Sequence, residues 1–355
     1  MKIHEKYILR CLQIAENGLG TTAPNPMVGA VITYKDHIIG EGFTSPFGGD
    51  HAEVRAIDSV ADKSLLKKAT LYVTLEPCCH FGKTPPCTDK ILTAGIPKIV
   101  VGLEDPNKKV SGKGIAILRS AGCEVITGVL QRKCEEHHRR FITFHTKKRP
   151  YIILKWAQSA DGFMAPDPSK REAAPEPYWI SSPLSRQLVH KWRSEEAGIL
   201  IGTQTALQDN PRLDTRFWKG SNPVRILIDR EHRVPHHFKV FGPGGKTLVF
   251  YAKKNVPQDT GNILYREVSE DKPLITQLLH TLWQENIQSL IVEGGARTLV
   301  YFINSGNWDE ARVINAPLAL KGGLAAPKIL NKPISIFNSG PDKVQILCND
   351  SEYHL

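Results

Sequence analysis

Apolar residues in the first 130 positions follow two alternating spacings, one helical and one extended. The first 20 residues place apolar side chains at helical intervals and end in two glycines, which predicts an amphipathic helix. Short apolar runs bounded by turn residues then alternate with further helical stretches, a pattern typical of an α/β sandwich with helices on both faces of a sheet. The predicted strands are 27–33, 36–43, 71–75, 98–103 and 124–129, and the predicted helices are 52–60, 88–94, 113–121 and 131–142.

A basic, polar stretch at 145–150 interrupts this pattern, and a second series of apolar runs follows it. At about 100 to 200 residues per domain, a chain of 355 residues predicts two domains. We therefore predict α/β domains at 1–146 and 147–355. A segment rich in proline and charge, 165–177, is interpreted as an exposed loop. The predicted strands of the second domain are 151–159, 199–202, 224–229, 246–251 and 289–294.

Composition narrows the class of protein. Hydrophobic residues make up 41% and charged residues 23%, which excludes a mainly disordered or collagenous chain. No apolar run approaches the roughly 18 residues of a membrane span, and the first residues have no signal-peptide core, so we expect a cytoplasmic protein without membrane contact. The net charge of +10 favours an anionic partner, either a nucleic acid or a phosphorylated small molecule.

The cysteines direct attention to one region. Seven cysteines without a secretion signal make a disulfide framework an unfavoured interpretation. Three of them, Cys78, Cys79 and Cys87, fall within ten residues. Clustering of this kind in a reducing compartment indicates metal binding or catalysis.

A histidine and two of these cysteines have the donor types of a catalytic zinc site. His51 opens a predicted helix, and Cys78 and Cys87 each follow a proline, which predicts that both thiolates begin a helix and gain from its dipole. One imidazole and two thiolates leave the fourth tetrahedral position for water, whose pKa zinc lowers towards about 7. Glu53 lies two residues past His51 and is predicted to shuttle protons as general acid and base.

This arrangement matches the signature of zinc nucleobase deaminases, H-x-E followed by P-C-x-x-C, in all but one interval. Here eight residues instead of two separate Cys78 from Cys87. The alternative is a structural zinc site closed by a fourth protein ligand, for which Cys79 and His80 are the rivals. We interpret Cys79 as a bystander.

Longer motifs bring a family resemblance. The segments 25–29 (NPMVG), 51–53 (HAE), 74–87 (TLEPCCHFGKTPPC) and 105–107 (DPN) resemble the deaminase half of bifunctional riboflavin-biosynthesis deaminase/reductases, a family with the longer interval between its cysteines. The resemblance implies a cytidine-deaminase-like α/β/α sandwich. Family members often carry a histidine where this chain has Thr44. The implied zinc ligands are His51, Cys78 and Cys87, the implied proton carrier is Glu53, and the implied substrate contacts are Asn25, His80, Lys83, Asp105 and Asn107.

The second domain lacks the glycine fingerprint of dinucleotide-binding folds. Its nearest phosphate-binding candidate is the turn at 292–298 (VEGGART), where two glycines separate a predicted strand from a helix and Arg297 adds charge. Taken alone, two glycines also make an ordinary turn.

Neighbouring motifs resemble the reductase half of the same family, whose fold is similar to dihydrofolate reductase. They are 155–162, 179–182, 190–193 and 202–216. One departure is Pro177, at a position where the family often has serine, and the loop before it is longer. Arg193 and Arg216 have the bidentate fork that suits a ribose phosphate. The implied NADPH contacts are Ala157, Trp179, Thr205, Asp209, Gly295, Ala296, Arg297 and Thr298, and the implied substrate contacts are Arg193, Leu213, Arg216 and Glu293.

Together these features predict an enzyme of two steps. The resemblance implies zinc-dependent hydrolytic deamination of 2,5-diamino-6-ribosylamino-4(3H)-pyrimidinone 5′-phosphate, then NADPH-dependent reduction of 5-amino-6-(5-phosphoribosylamino)uracil to the ribitylamino product. We expect a homo-oligomer that binds phosphorylated pyrimidines and no nucleic acid. The alternatives are a zinc deaminase acting on cytidine or tRNA adenosine, and a nucleic-acid-binding protein with a structural zinc module. The first predicts a Cys-x-x-Cys pair and no reductase half, and the second predicts aromatic residues among clustered Lys and Arg.

Overall fold

The structure is a computed structural model and describes residues 2–81, 85–106, 111–170, 174–252 and 258–349. The chain divides into two compact units, Met1–Lys148 and Arg149–Leu355. The sequence placed the boundary between 146 and 147, which is inside the last turn of helix α6 (Arg139–Lys147). Among the described residues, no helix has the length and apolar character needed to cross a membrane.

The described strands of the first unit form one five-stranded sheet. Its strands are β1 (Gly29–Tyr34), β2 (His37–Phe43), β3 (Thr70–Leu75), β4 (Lys98–Leu103) and β5 (Glu124–Thr127). They lie in the order β2-β1-β3-β4-β5, with β1 antiparallel to both neighbours and β3, β4 and β5 parallel. The central strands β3 and β4 are buried almost throughout, as their continuous apolar sequences require.

The remaining helices of this unit pack on the sheet through apolar faces. One close approach matters for the site, because Gly42 in β2 lies so near the second helix that a Cβ there would be 2.5 Å from the carbonyl oxygen of Ala52. The start of that helix is thereby held against the sheet. The helices are α1 (Ile3–Ala15), α2 (Ala52–Ser59), α3 (Cys87–Ala94), α4 (Lys113–Ser120) and α5 (Gln131–His137), and α6 follows.

These elements agree closely with the predicted ones, with two differences. The predicted helix over 131–142 is two helices, α5 and α6, with His138 between them. The first helix ends at Ala15 and is followed by a single 3-10 turn, Glu16–Gly18, where the sequence suggested helix up to the glycines.

The second unit is built on a larger, mixed sheet. Its strands are β6 (Tyr151–Gln158), β7 (Phe163–Ala165), β8 (Gly198–Gly202), β9 (Val224–Ile228), β10 (Thr247–Tyr251), β11 (Ile263–Glu267), β12 (Ser289–Val292), β13 (Glu310–Asn315), β14 (Leu324–Ala325), β15 (Pro333–Ser339) and β16 (Asp342–Cys348). Nine of the described strands lie in the order β11-β10-β9-β8-β12-β6-β13-β16-β15, and β7 pairs with β14. The run from β11 to β13 is parallel, and β16 and β15 are antiparallel.

Parallel strands place their carboxyl ends at one edge of the sheet, where α/β proteins bind ligands. The helices that connect or flank these strands begin at that edge after β8 and β12. They are α7 (Pro183–Glu195), α8 (Thr203–Asp209), α9 (Leu274–Gln284) and α10 (Ala296–Asn304).

The sequence did not predict the last three long strands. β13 contains the buried pair Glu310 and Arg312, joined at 2.6 Å between Oε1 and Nε, so its polar letters conceal a buried strand. β15 and β16 form a hairpin with Gly340 at a φ of 62° in its turn. The predicted loop 165–177 is exposed at residues 167–170 and 174–176. Ala165 ends β7, Pro168–Lys170 form a 3-10 turn, and residues 171–173 lie outside the described residues.

Candidate active sites

Three separate elements bring His51, Cys78 and Cys87 together in the first unit. His51 is the N-cap of α2, Cys78 lies in the loop after β3, and Cys87 is the first residue of α3. The prediction that both cysteines begin a helix is wrong for Cys78, because the described residues that follow β3, 76–81, contain no helical structure. The helix dipole therefore assists only the Cys87 sulfur.

The distances among these side chains suit a tetrahedral metal site. Their ligand atoms all lie within 4.8 Å of one another. His51 Nδ1 is 3.5 Å from Cys78 Sγ and 3.3 Å from Cys87 Sγ. Ligands at the usual zinc distances and tetrahedral angles are separated by about 3.6 Å from nitrogen to sulfur. Within the described ranges no other trio of His, Cys, Asp or Glu meets this spacing, and three donors leave one position open.

The protonation of the two thiols also suits a cation. The pKa of Cys78 is lowered to about 4, because the Cys87 thiol and His51 donate hydrogen bonds to its sulfur. The pKa of Cys87 is raised, since its thiol donates to Cys78 and lies buried beside Glu53. A zinc ion favours thiolates at both positions and releases the remaining proton.

Glu53 is the second residue of α2, and only 3% of its surface is exposed. Burial raises the pKa of its carboxyl to about 7, and the neighbouring Cys78 thiolate adds to the shift. A carboxyl group with a pKa near neutrality can both take up and release a proton at physiological pH. This is the property required of the predicted proton carrier.

The sheet topology gathers the predicted substrate contacts at the edge that carries Cys78. Asn25 precedes β1, which runs antiparallel to β3, so it lies beyond the carboxyl end of β3. Asp105 follows β4, which is parallel to β3 and pairs Leu103 with Leu75. Asp105 is buried, Asn25 is half-buried, and His80 is exposed on the loop after Cys78. The other two predicted contacts, Lys83 and Asn107, lie outside the described residues.

One residue important for this site was quoted in a motif but given no role. The carboxylate of Glu76, two residues before Cys78, accepts backbone N–H groups from Asp105 at 3.1 Å, Gly112 at 2.9 Å, Gly114 at 2.9 Å and Ile115 at 3.3 Å. Glu76 therefore connects the loop that contains Cys78 to the loop that contains Asp105 and to the start of α4. A buried acidic residue directly after an apolar strand was the available signal.

The departure at Thr44 has a structural explanation. Thr44 is buried, and its hydroxyl accepts the N–H of Val28 at 3.1 Å while its own N–H donates to the Val28 carbonyl at 3.0 Å. Thr44 thus holds the chain that links Asn25 to β1.

The second unit gathers eight of its predicted site residues around one cavity of about 540 Å³. The cavity opens at the carboxyl end of β6 and is bordered by α7 and α8. Leu213 has a φ of 57°, an unfavourable conformation for leucine that is characteristic of functional sites. The eight residues are Ala157, Trp179, Arg193, Thr205, Asp209, Leu213, Arg216 and Glu293.

A buried ion cluster lies in the wall of this cavity. The Arg193 fork donates to both carboxylate oxygens of Glu293, at 2.7 and 2.8 Å, and Lys155 Nζ lies 3.3 Å from the same carboxylate. Burial would raise the pKa of Glu293, but Arg193 and Lys155 outweigh it and lower the pKa to about 2. The sequence suggested that the guanidinium fork of Arg193 binds a ribose phosphate. In the structure that fork already binds Glu293.

Lys155 was quoted in a motif but was not predicted as a site residue, and its contact with Glu293 joins residues 138 positions apart. Arg216 lies half-exposed beside Asp214 and borders the cavity together with Arg186 and Arg212. Pro177 also borders it, so the proline departure lies within the site.

A second cavity of about 630 Å³ contains the predicted glycine turn, with Gly295, Ala296, Arg297 and Thr298 in its wall, and it shares Thr205 with the first. Gly294 and Gly295 allow the backbone of the turn to adopt this conformation. A Cβ on Gly294 would be 2.5 Å from Ile201 Cα, and Gly295 has a φ of 30°. The turn brings backbone N–H groups of α10 to the cavity without a side-chain cap, and such groups bind phosphate oxygens. The wall therefore fits a dinucleotide pyrophosphate.

Comparison with known protein families divides the chain in the same way. Residues 1–103 match the family of the cytidine and deoxycytidylate deaminase zinc-binding region, and residues 150–336 match the RibD C-terminal domain.

Individual relatives match over nearly the whole length. The riboflavin biosynthesis protein RibD of Aquifex aeolicus is 40% identical over 327 residues, which cover 91% of this chain and 90% of the relative. The RibD of Escherichia coli is 34% identical, with 89% and 88% covered. A Thermotoga maritima crystal structure, described as a diaminohydroxyphosphoribosylaminopyrimidine deaminase/5-amino-6-(5-phosphoribosylamino)uracil reductase, is 35% identical with a TM-score of 0.86 over 98% of each chain.

Proposed function

The chain belongs to the RibD family of bifunctional riboflavin biosynthesis enzymes, and we propose that each of its units performs one of the two reactions named for the Thermotoga maritima relative. The first unit deaminates 2,5-diamino-6-ribosylamino-4(3H)-pyrimidinone 5′-phosphate by hydrolysis. The second reduces the resulting 5-amino-6-(5-phosphoribosylamino)uracil to its ribitylamino form. The observation that carries this proposal is the presence, in one chain, of the His51, Cys78 and Cys87 cluster beside the buried Glu53 and of a cavity bordered by the ion cluster of Glu293.

In the deaminase unit, His51, Cys78 and Cys87 would hold the zinc ion. Zinc bound there lowers the pKa of a water molecule and so provides a nucleophile at neutral pH. Glu53 would take up one proton from the attacking water and pass it to the departing amino group, so that ammonia leaves and oxygen takes its place on the ring. A pKa of about 7 lets one carboxyl group perform both transfers.

Around the ring, the amide of Asn25 and the carboxylate of Asp105 are suited to hydrogen bonds with the amino and carbonyl groups of a pyrimidine. His80 and the two predicted contacts outside the described residues, Lys83 and Asn107, complete the proposed substrate set. Lys83 would contribute a cation for the substrate phosphate.

In the reductase unit, the glycine turn with Gly295, Ala296, Arg297 and Thr298 would hold the NADPH pyrophosphate, and Ala157, Trp179, Thr205 and Asp209 would contact the coenzyme where the two cavities meet. NADPH supplies the hydride. Reduction of the sugar carbon also requires one proton, which the ammonium of Lys155, largely buried in the cavity wall, would donate. Glu293, which is itself held by Arg193, holds Lys155 in place, whereas Arg216 remains at the cavity rim for the substrate phosphate.

The test uses the purified full chain loaded with zinc. It is incubated with the diaminopyrimidine ribotide, with and without NADPH, and the products are weighed by mass spectrometry. We expect an amino group to be replaced by oxygen without NADPH, and a further gain of two hydrogens with it. An unchanged substrate mass would refute the deaminase half, and deamination without the hydrogen gain would refute the reductase half.

Chelation separates the two halves further. Removal of zinc is expected to abolish deamination and to leave the reduction of supplied intermediate unchanged, and added Zn²⁺ should restore the first step. Loss of both steps on chelation would contradict the division of labour between the units.

The RibD C-terminal match over residues 150–336 speaks against a deaminase limited to cytidine or tRNA adenosine. We further propose that the enzyme works in the cytoplasm as a homo-oligomer and binds no nucleic acid or membrane. Light scattering after size-exclusion chromatography tests whether the enzyme is a homo-oligomer, and a gel-shift titration with tRNA tests whether it binds nucleic acid.

A further inference from the structure

We propose that Arg230 and Arg233, on the loop after β9, bind the 2′-phosphate of NADPH and make the reductase unit select NADPH over NADH. Both arginines border the 630 Å³ cavity that contains the glycine turn. The inference rests on the proposed assignment of that cavity to the coenzyme. Neither arginine was predicted as a site residue from the sequence.

The position of this loop follows from the sheet. β9 lies parallel to β8, with Ile228 opposite Gly202, so the loop after β9 runs beside the start of α8. The strand order places β8 between β9 and β12, the strand that carries the glycine turn, so the loop after β9 lies two strands from that turn. In dinucleotide-binding α/β folds, a carboxylate near the carboxyl ends of the strands accepts the ribose 2′-hydroxyl of NAD, and an arginine there binds the 2′-phosphate of NADP. Gly202 and Thr205 form the wall between this loop and the glycine turn.

The carboxylate at the end of β9 does not face the cavity. Asp229 is only 2% exposed. One of its oxygens accepts the Thr203 hydroxyl at 3.1 Å and the Arg233 N–H at 3.2 Å, and the other accepts the Val234 N–H at 2.9 Å. Because the carboxylate is buried and bonded within its own loop, it is not available to a ribose 2′-hydroxyl in the cavity. The same bonds turn the loop so that its arginines border the cavity.

The charges on this wall favour a dianion. Within the part of the chain that the structure describes, Arg233 has no carboxylate within ion-pair distance. Arg230 Nη2 is 2.9 Å from Glu270, but this pair is largely exposed, at 47% and 74%, so a phosphate can compete for the guanidinium. A guanidinium binds phosphate through two parallel N–H groups, which a single hydroxyl cannot match.

Two carboxylates in the wall of this cavity would support the opposite preference: Asp167, whose Oδ1 already accepts hydrogen bonds from Ser169, and Glu231, which lies between the two arginines. Glu231 is the nearer to the arginines in sequence. Its side chain is exposed and also borders the cavity, so its carboxylate is available for a ribose 2′-hydroxyl. The experiment therefore includes this residue.

The test measures dissociation constants of NADPH and NADH by isothermal titration calorimetry at fixed ionic strength, without substrate. Arg230→Ala and Arg233→Ala should each weaken NADPH about tenfold, and the double variant more, while NADH changes less than about twofold. Arg230→Lys should weaken NADPH binding less than Arg230→Ala does, because lysine keeps the positive charge but lacks the two parallel N–H groups of the guanidinium. Lys272→Ala removes one exposed positive charge outside the cavity and should change neither constant.

Gly295→Ala distinguishes failure of this inference from failure of the proposed coenzyme site. If it weakens both coenzymes while the double arginine variant leaves the NADPH to NADH ratio unchanged, the coenzyme site stands and the inference is overturned. If Glu231→Gln selectively weakens NADH while the arginine variants have no effect, the preference is set by Glu231 and the inference is also wrong. If the wild type binds neither coenzyme, the proposed site and the inference fail together.

Discussion

Two buried glutamates, one in each unit, have pKa values displaced in opposite directions. Burial and the nearby Cys78 thiolate raise the pKa of Glu53 to about 7, whereas Arg193 and Lys155 overcome burial and lower the pKa of Glu293 to about 2. Burial penalises the charged form of both carboxyls, so the charges of their neighbours decide the outcome. One glutamate is thereby suited to carry a proton, and the other to remain an anion that positions two cations.

The largest predicted difference between the two glutamates is the loss of catalysis when Glu53 is replaced. Glu53→Gln keeps the shape of the side chain but removes its capacity to accept a proton, so kcat for deamination should fall about 10² to 10⁴-fold. Reduction of supplied intermediate should be unchanged. Asp58→Asn, on the exposed side of the same helix, is the matched control and should stay within about twofold. A loss below tenfold in Glu53→Gln would show that another group carries the proton.

The second effect concerns stability and belongs to Glu293. Glu293→Gln leaves the guanidinium of Arg193 and the ammonium of Lys155 buried without their anion, at a cost of about 3 to 5 kcal/mol in the free energy of unfolding. Urea titration at pH 7 measures this, and hydrogen exchange of peptides from β12 assigns the loss to the second unit. Glu285→Gln breaks the more exposed pair with Arg266 and should cost no more than about 1 kcal/mol. Equal losses in the two variants would mean that the Glu293 cluster behaves like a surface ion pair.

A third effect follows from the direction of the Glu293 shift. Its folded pKa of about 2 lies below the usual 4.5, so its ionised form stabilises the fold fully above pH 4.5, and this contribution declines as pH falls towards 2. Between pH 4.5 and 3.5 the free-energy difference between wild type and Glu293→Gln should shrink by about 1 kcal/mol. Urea titrations of both proteins at a series of pH values test this. A difference that grows on acidification would contradict the sign of the shift.

The two sites also differ in how far the sequence revealed them. Few residue types ligate zinc, so a histidine, a glutamate two residues later and two spaced cysteines already predicted the deaminase chemistry. The loop position of Cys78 was not predicted, because a proline before a cysteine is compatible with both a loop and a helix start. In the reductase unit, the residues around the cavity came from the family resemblance, since arginine, threonine and glycine in such spacing have many ordinary uses.

Contacts between distant segments account for part of what the sequence missed. Arg193 and Glu293 are 100 residues apart, and no local pattern reveals that one binds the other. The strand β13 was missed because Arg312 is buried in ion pairs with Glu310 and Glu196, so a buried strand looks polar in the sequence. The predicted strands β3 and β4 had continuous apolar runs and were recovered with bounds within one residue.

The smallest predicted effect tests whether the first site depends on such a distant contact. Thr44→Val removes the hydroxyl that accepts the Val28 N–H, although that N–H also lies 3.1 Å from the Pro26 carbonyl, so the stability cost should stay below about 1 kcal/mol. Because Asn25 lies on the same connection, KM for the diaminopyrimidine should rise about two- to threefold while kcat, which depends on Glu53, is retained. Thr44→Ser keeps the hydroxyl and should behave as wild type. If KM is unchanged in Thr44→Val, other contacts are sufficient to position the Asn25 segment, among them the hydrogen bond from the Asn25 N–H to the Thr22 carbonyl.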